Sequence, residues 1–360
     1  MSARFIMAGG GTGGHVIPAL AVARVLAARG HQPVFIGTER GLEAKLVPAA
    51  GFPIEWIEIG GLKRVGWRSA VKTLRMIPGS VRRALAHLDQ RRPAAVFSMG
   101  GYVAAPVMLA AIRRRIPIVV MEPNAMPGLV NRRLGRFVAR ALLSFPEAER
   151  YFPRGRSEIT GVPVRPEFFQ VPPKPRGDSL TLLITGGSQG SRTLNRAAQQ
   201  SWPLFRESRF RVRFLHQTGI AEHEEIARQF AQSGMEGEVT PFISDMPAAF
   251  AAADMVICRS GANTVAEIAA SGKPSILVPF PFAADNHQLR NAEALANAGA
   301  ARVVADSEMN GRRLFDEVTS LASRPGALDE LGAAVRRFAR PRAAERAADV
   351  LEEFAHGEQR

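Results

Sequence analysis

The 360-residue chain has room for two domains of ordinary size, and its 46% apolar and 22% charged residues are those of a soluble globular protein rather than a disordered or fibrous one. A single cysteine, Cys258, excludes an internal disulfide and fits a reducing compartment. The net charge of +14 is one-sided: residues 1–165 hold 25 Lys/Arg against 9 Asp/Glu and the remainder 22 against 24, so the first half is the one that suits an anionic partner, either nucleic acid or an anionic membrane surface.

Apolar runs alternate with helical spacing from the start. Arg4–Ala8 reads as a buried strand and breaks into glycine after Ala8, so no signal peptide is expected. The glycine stretch that follows, "GGGTGGH", contains Gly9-x-Gly11-x-x-Gly14, the spacing of a dinucleotide cradle. Such a cradle needs an acid about 20 residues on, for the ribose diol. The nearest, Glu39, lies 25 residues beyond Gly14 and fits poorly. The cradle also has no use for His15. A histidine at a helix N-terminus is held neutral by the dipole and able to accept a proton, with capping or packing as the other reading.

Further strands are expected at Pro33–Ile36, Ile54–Ile59, Ala94–Phe97 and Ile116–Met121, with helical spacing at Leu20, Ala23, Ala27 and at Leu42, Leu46. Residues 61–93 carry nine Lys/Arg and one acid, with Trp67, Val71, Leu74 and Ile77 at helical spacing. That pattern suits an interfacial segment on anionic lipid, or a core-facing helix with a basic back. The uncharged run 94–112 is long enough to suggest a membrane span. Gly100, Gly101 and Pro106 make it a strand, a glycine turn at Met99–Tyr102 and a buried helix instead.

Residues 161–178 carry five prolines and no helical period. The alternation restarts with strands at Leu180–Thr185, Val212–His216, Glu238–Phe242, Met255–Ile257 and Ser275–Val278, and a last amphipathic helix is expected at Ala343–Ala355. The implied architecture is α/β, two doubly wound Rossmann-like domains with parallel sheets facing across a cleft. The domains are 1–162 and 179–340. A linker at 163–178 joins them, and a helix at 341–360 packs back on one or the other.

The second half opens as the first does, with a strand running into Gly186, Gly187, Ser188, Gln189 and Gly190. Small residues let a phosphate approach backbone N–H groups at a helix start. One such loop is equally a packing turn; two at equivalent places plus the third at Gly100–Gly101 favour ligands. After Met255–Ile257 the chain turns at Ser260–Gly261 into a helix near Asn263–Ala270, and Glu267 lies one turn past Asn263 on the same face. There its carboxylate could accept both ribose hydroxyls, the alternative being a solvated helix glutamate. Asp285, Asn286, His287 and Gln288 then cluster as sugar hydroxyls require. Asp285 and His287 alone make a thin metal site, so neither metal nor cofactor is expected.

Six stretches, "GGGTGGHVIPALAVA", "MGGYVAAP", "EPNAMPGLVNR", "GVPVR", "GGSQGSRTLN" and "CRSGANTVAEIAASGKPSILVPFP", resemble in order and spacing the MurG family, within glycosyltransferase family 28 and the GT-B fold. The resemblance implies inverting transfer of N-acetylglucosamine from its UDP donor to the 4-hydroxyl of the muramyl sugar of an undecaprenyl-linked acceptor, lipid I, for peptidoglycan synthesis. It implies that Thr12, Gly13, Gly14 and His15 face the transferred sugar and acceptor, with Gly11, Gly100, Gly101 and Tyr102 in the acceptor and pyrophosphate loops. Asn124 would touch the donor sugar, Arg165 and Ser188 would lie near the nucleotide and phosphates, and the backbone of Ile243 would meet uracil. Ala262, Asn263, Thr264, Val265, Ala266 and Glu267 would hold pyrophosphate and ribose, while His287 and Gln288 would read sugar hydroxyls.

His15 is the first candidate for the base and Glu122 the second. Pro123 and Val162 stand where the family usually has glutamine and asparagine. The implied partners are UDP-N-acetylglucosamine, the lipid-linked acceptor, the anionic membrane surface through residues 61–93, and a cell-wall synthesis complex. The implied location is peripheral, on the cytoplasmic face of the cell membrane. A diacylglycerol glycosyltransferase and a nicotinamide oxidoreductase remain as alternatives. A nucleic-acid-binding protein is disfavoured, because two tyrosines offer few stacking platforms and no recognition motif occurs.

Overall fold

The computed structural model describes residues 2–60, 67–175 and 177–355, with backbone only over 67–74. Internal contacts divide the chain into two units, Met1–Pro163 with Arg342–Arg360, and Val164–Pro341. Among the described residues the first unit is built on seven parallel strands: β1 (Arg4–Ala8), β2 (Gln32–Gly37), β3 (Ile54–Trp56), β4 (Ala95–Ser98), β5 (Ile118–Glu122), β6 (Arg140–Leu143) and β7 (Ser157–Ile159). They run in the order β3-β2-β1-β4-β5-β6-β7. Parallel strands have both faces covered, which is why Phe5, Ile6, Met7 and Ala8 form an unbroken apolar run with no exposure. The crossovers include α1 (Gly13–Ala28), α2 (Glu43–Ala49), α3 (Trp67–Arg91), α4 (Gly101–Arg114) and α5 (Leu129–Leu134).

β1 lies between β2 and β4, with Ala8 opposite Ser98. The strand order reverses at this pair, and the glycine turns Gly9–Gly11 and Gly100–Gly101 leave the carboxyl ends of these two strands. That switch point is where doubly wound sheets receive ligands. The uncharged run 94–112 forms β4, the glycine turn and most of α4, and no helix among the described residues is long and apolar enough to cross a membrane. The strand expected over Ile54–Ile59 is limited to β3; Ile57 is still buried, at 2% exposure.

The second unit repeats the plan with β8 (Ser179–Thr185), β9 (Arg211–Gln217), β10 (Glu236–Thr240), β11 (Met255–Cys258), β12 (Ser275–Leu277) and β13 (Arg302–Val303), in the order β10-β9-β8-β11-β12-β13. Its helices are α6 (Arg192–Arg206), α7 (His223–Ser233), α8 (Met246–Ala252), α9 (Ala262–Ser271), α10 (His287–Asn297), α11 (Gly311–Ser323) and α12 (Ala327–Arg336). Thr185 of β8 faces Cys258 of β11 across the switch point, so the turns at Gly186–Gly190 and Ser260–Gly261 leave adjacent strand ends.

The proline-rich stretch is docked through Pro166–Gln170 and Lys174. Pro166–Gln170 forms a 3₁₀ turn, Phe168 is fully buried edge-on to Phe250 (5.2 Å between centroids), and Lys174 Nζ reaches Asp254 Oδ2 at 2.6 Å. The last helix, α13 (Ala343–Ala355), packs on α1 of the first unit. It is fastened there by Arg29 to Asp349 and Glu352 (2.8 and 2.9 Å) and by a bidentate pair from Arg346 to Glu158.

Candidate active site

In the first unit the switch point gathers Gly11, Thr12, Gly13, Gly14, His15, Gly100, Gly101 and Tyr102. Thr12 caps α1 with its backbone: its carbonyl accepts from the N–H groups of His15 and Val16 (3.1 and 3.2 Å), and its exposed side chain makes no capping bond. The first N–H groups of α1 have no partner within the helix and point out at its N-terminus, a setting for an anion. His15 Nδ1 lies 3.2 Å from the carbonyl oxygen of Gly10. Gly101 has φ +78°, and a Cβ there would come within 3.1 Å of His15 Cε1, so glycine is needed both for the turn and for the ring's place.

Beneath this turn lies a residue that the sequence reading missed. Glu43, at the start of α2, has no exposed surface. Its Oε2 accepts from Gly11 N–H at 2.7 Å, and its Oε1 accepts from the N–H and hydroxyl of Thr38 at 3.0 and 2.7 Å. A Cβ on Gly10 or Gly41 would fall on this carboxylate. Thr38 is hydrogen-bonded in turn to Tyr102, whose phenol is pushed up by burial and by the Glu43 charge. The only signal in the sequence was the crowd of glycines at 10, 37 and 41, which declares nothing until the chain folds.

Glu122 ends β5 and is 2% exposed. Oε1 accepts from Asn124 N–H and Nδ2 (3.0 and 3.1 Å), and Oε2 from Gly128 N–H and Asn131 Nδ2 (3.1 and 2.8 Å). Burial raises its pKa while those four donors oppose the rise. The geometry argues against the expectation that Glu122 is the second candidate base. With two donors on each oxygen it organises the loop 123–128, Pro123 included, and so fixes Asn124.

In the second unit, Glu267 sits on α9 with partial solvent contact. Burial pushes its carboxyl up to about 7, against the opposing pull of Arg165. Its side chain makes no hydrogen bond among the described residues. Arg165 itself lies over the ring of buried Phe168 (5.1 Å), which ties it to this unit. Asn263 Oδ1 is buried without a partner among the described residues, at the N-terminal turn of α9. Gln288 Oε1 accepts from Phe280 N–H (3.0 Å), leaving its Nε2 toward Gly261, where a Cβ would be 4.0 Å away. His287 Nδ1 is 2.7 Å from the Ala284 carbonyl. Ser188 is exposed on its turn. Ala262, Thr264 and Ala266 are partly exposed along the same first turns of α9.

One expectation needs correction here, and a second is narrowed. Val265 is buried, at 4% exposure, and its N–H is bonded to the Gly261 carbonyl (2.9 Å), so it serves the core and the helix rather than a ligand. The N–H of Ile243 is already given to Gln217 Oε1 (2.8 Å), which leaves its carbonyl as the backbone group for a base.

Gln217 was not anticipated. Its Nε2 also donates to Thr185 Oγ1 and the Gly187 carbonyl (3.2 and 2.9 Å), joining the glycine turn to the 243 loop. Arg259 was missed as well: it bonds Ser191 Oγ (2.7 Å), Asp306 Oδ1 (2.5 Å) and the Val278 and Pro279 carbonyls (3.0 and 3.3 Å). It thereby braces the turns around Ser260.

For the basic segment 61–93, residues 61–66 and the side chains of 67–74 lie outside the described residues, including Trp67, Val71, Lys72 and Leu74. Of the rest, Arg75 is exposed, Ile77 is half-buried, and Ala84 and Leu88 are buried in the first unit's core.

Comparison with known proteins bears on the whole chain. The glycosyltransferase family 28 N-terminal domain matches residues 5–143, and the family's C-terminal domain matches residues 181–348. A protein of Solibacter usitatus (strain Ellin6076) is 62% identical over 98% of this chain and 97% of its own, and one of Anaeromyxobacter sp. (strain Fw109-5) is 42% identical over 98% and 93%. Both are named UDP-N-acetylglucosamine--N-acetylmuramyl-(pentapeptide) pyrophosphoryl-undecaprenol N-acetylglucosamine transferase. Among solved structures, the crystal structure of Acinetobacter baumannii MurG superposes with a TM-score of 0.82 at 32% identity, covering 98% of this chain and 99% of the other.

Proposed function

Because this chain belongs to glycosyltransferase family 28, we propose that it transfers N-acetylglucosamine from UDP-N-acetylglucosamine to the muramyl sugar of the pyrophosphoryl-undecaprenol-linked acceptor. The observation that carries this reading is the 62% identity to a transferase so named, over nearly the full length of both chains. The paired turns at both switch points supply chemistry that fits it.

The first unit meets the acceptor and the second holds the donor. His15 Nε2 takes the proton from the acceptor 4-hydroxyl, and the freed oxygen pair attacks the anomeric carbon. The bond to the UDP oxygen breaks, and its pair leaves on the diphosphate. The growing charge there falls to the N–H groups of the Gly186–Gly190 turn and to the N-terminus of α9, with Asn263 and Thr264 beside it. Glu267 accepts the ribose hydroxyls, and the Gln288 amide reads sugar hydroxyls. Asn124, held by Glu122, is directed at the transferred sugar. One displacement inverts the anomeric centre, and no cofactor enters.

The acceptor class is tested by offering radiolabelled UDP-N-acetylglucosamine to the enzyme with either the muramyl lipid or diacylglycerol in micelles. Label should enter the muramyl lipid; label in diacylglycerol alone would contradict the assignment. The lipid-linked acceptor also requires docking at a membrane, peripherally and on the side where UDP-sugars occur. The excess of positive charge in residues 1–165 supports an anionic surface as the docking partner. Flotation with vesicles should carry the protein upward when anionic lipid is present, and more weakly at high salt. Equal flotation with neutral vesicles would oppose it. A cell-wall synthesis complex is a further proposed partner.

A further inference from the structure

His15 and Glu43 lie on opposite sides of one peptide group. The Gly10 carbonyl faces His15 Nδ1 at 3.2 Å, and the N–H of the same planar peptide, carried by Gly11, donates to Glu43 Oε2 at 2.7 Å. A carbonyl oxygen can only accept, so this contact requires the proton on Nδ1 and leaves the lone pair on Nε2. Glu43 accepts from three donors, Gly11 N–H, Thr38 N–H and the Thr38 hydroxyl, the pattern of an ionised carboxylate. Burying such a group is costly, and turns of mere backbone economy do not need it. The site keeps it enclosed by Gly10, Gly37 and Gly41, where any side chain would strike it.

We infer that Glu43 is a positioning residue for His15, acting through the Gly10–Gly11 peptide: the carboxylate fixes and polarises the peptide, whose carbonyl holds His15 in the Nδ1–H tautomer and stabilises the imidazolium formed when Nε2 takes the acceptor proton. The arrangement does the work of a carboxylate–histidine pair with a peptide interposed. Three features make the relay stiff. Gly11 sits at φ +85°, a Cβ on it would meet the Tyr102 ring at 2.9 Å, and Gly101 closes on the Nδ1–Cε1 edge of the imidazole, beside the Gly10 carbonyl. Tyr102, bonded to Thr38, is the other titratable group packed against this turn.

The inference rests on His15 being the base, and the two ideas fail differently. In the wild-type protein, labelled at histidine nitrogen and assigned with His15→Gln, long-range nitrogen–proton NMR should show neutral His15 protonated at Nδ1. Protonation at Nε2 would overturn the relay whatever the variants do. Glu43→Gln keeps an acceptor for Gly11 N–H but removes the charge. The NMR titration midpoint of His15 should fall by about half a unit or more, the acid limb of the kcat profile should move with it, and kcat should drop about tenfold. A folded Glu43→Gln protein with an unmoved midpoint would also overturn it. Should Glu43→Gln not fold, the wild-type tautomer decides alone. Full turnover in His15→Ala would instead remove the base assignment, leaving the tautomer measurement to report on the peptide bridge.

Discussion

Each unit places a glutamate beside a glycine turn at its switch point, and the two glutamates are treated in opposite ways. Glu43 is sealed in and given three donors, so its charge is settled by the protein and spent on shaping the turn that holds His15. The Glu267 side chain has no hydrogen bond among the described residues, and burial pushes its carboxyl up to about 7. A carboxylate whose hydrogen bonds are made is part of the scaffold. One left wanting donors is ready for a ligand that brings hydroxyls. Glu122, with four donors, falls on the scaffold side, which is why it suits Asn124's positioning better than proton transfer.

The largest expected effect breaks the first side of this comparison. His15→Ala should lower kcat by about 10²- to 10⁴-fold while the circular dichroism spectrum and the donor Kd stay near wild type. Retained turnover would leave the first unit's relay without a purpose. On the second side, Glu267→Ala should raise the KM for UDP-N-acetylglucosamine by about 10- to 100-fold, the size of hydrogen bonds to a charged group, with kcat changed less. An unaltered KM would mean that the ribose is held elsewhere.

The raised carboxyl also predicts how donor binding responds to acid. The ribose diol needs the ionised form, which is depleted below about pH 7 in the free protein. Donor Kd, followed by calorimetry, should therefore rise about tenfold from pH 8 to pH 6 in the wild type and stay flat in Glu267→Gln. A smaller effect concerns stability. A carboxyl raised on folding destabilises the fold once it ionises, fully above about pH 7 and less as pH falls toward its ordinary value. Glu267→Gln should then gain about 1–3 °C in Tm at pH 8, discounted for the residue's solvent contact, and little near pH 5. A loss of Tm at pH 8 would show that the carboxylate has donors in the resting protein.

The division between legible and hidden follows the range of the interactions. Strands such as β1, β4, β8 and β11 carry continuous apolar runs that declare parallel, doubly covered sheet, and the glycines after them declare the strand-to-helix turns by local chemistry alone. β6 and β7 were not foreseen, since Arg140–Leu143 and Ser157–Ile159 are short and flanked by charge. β13 has only two residues. Glu43 carries no local sign of its burial, while Glu39, the acid weighed for a ribose, is exposed on a turn. What buries one and not the other is the approach of Gly10, distant in the chain, with Gly37 and Gly41 closing around the Glu43 side chain. The same limit applies to Gln217, whose three bonds join the ends of β8, β9 and β10, and to Arg259 with its reach to Asp306. Val265 marks the reverse error: sequence position assigned it to a ligand, whereas a helix bond had already taken its N–H group.

Transfer by a single displacement, with one base in the first unit and a leaving diphosphate held in the second, fixes the stereochemistry of the product. The anomeric configuration of the disaccharide made from UDP-N-acetylglucosamine, read from the anomeric proton coupling in the NMR spectrum of the isolated product, tests it most directly. A single displacement inverts the centre, so a β linkage is expected from the α-linked donor. An α linkage would mean retention, by double displacement or by attack on the face the diphosphate leaves, and would contradict it.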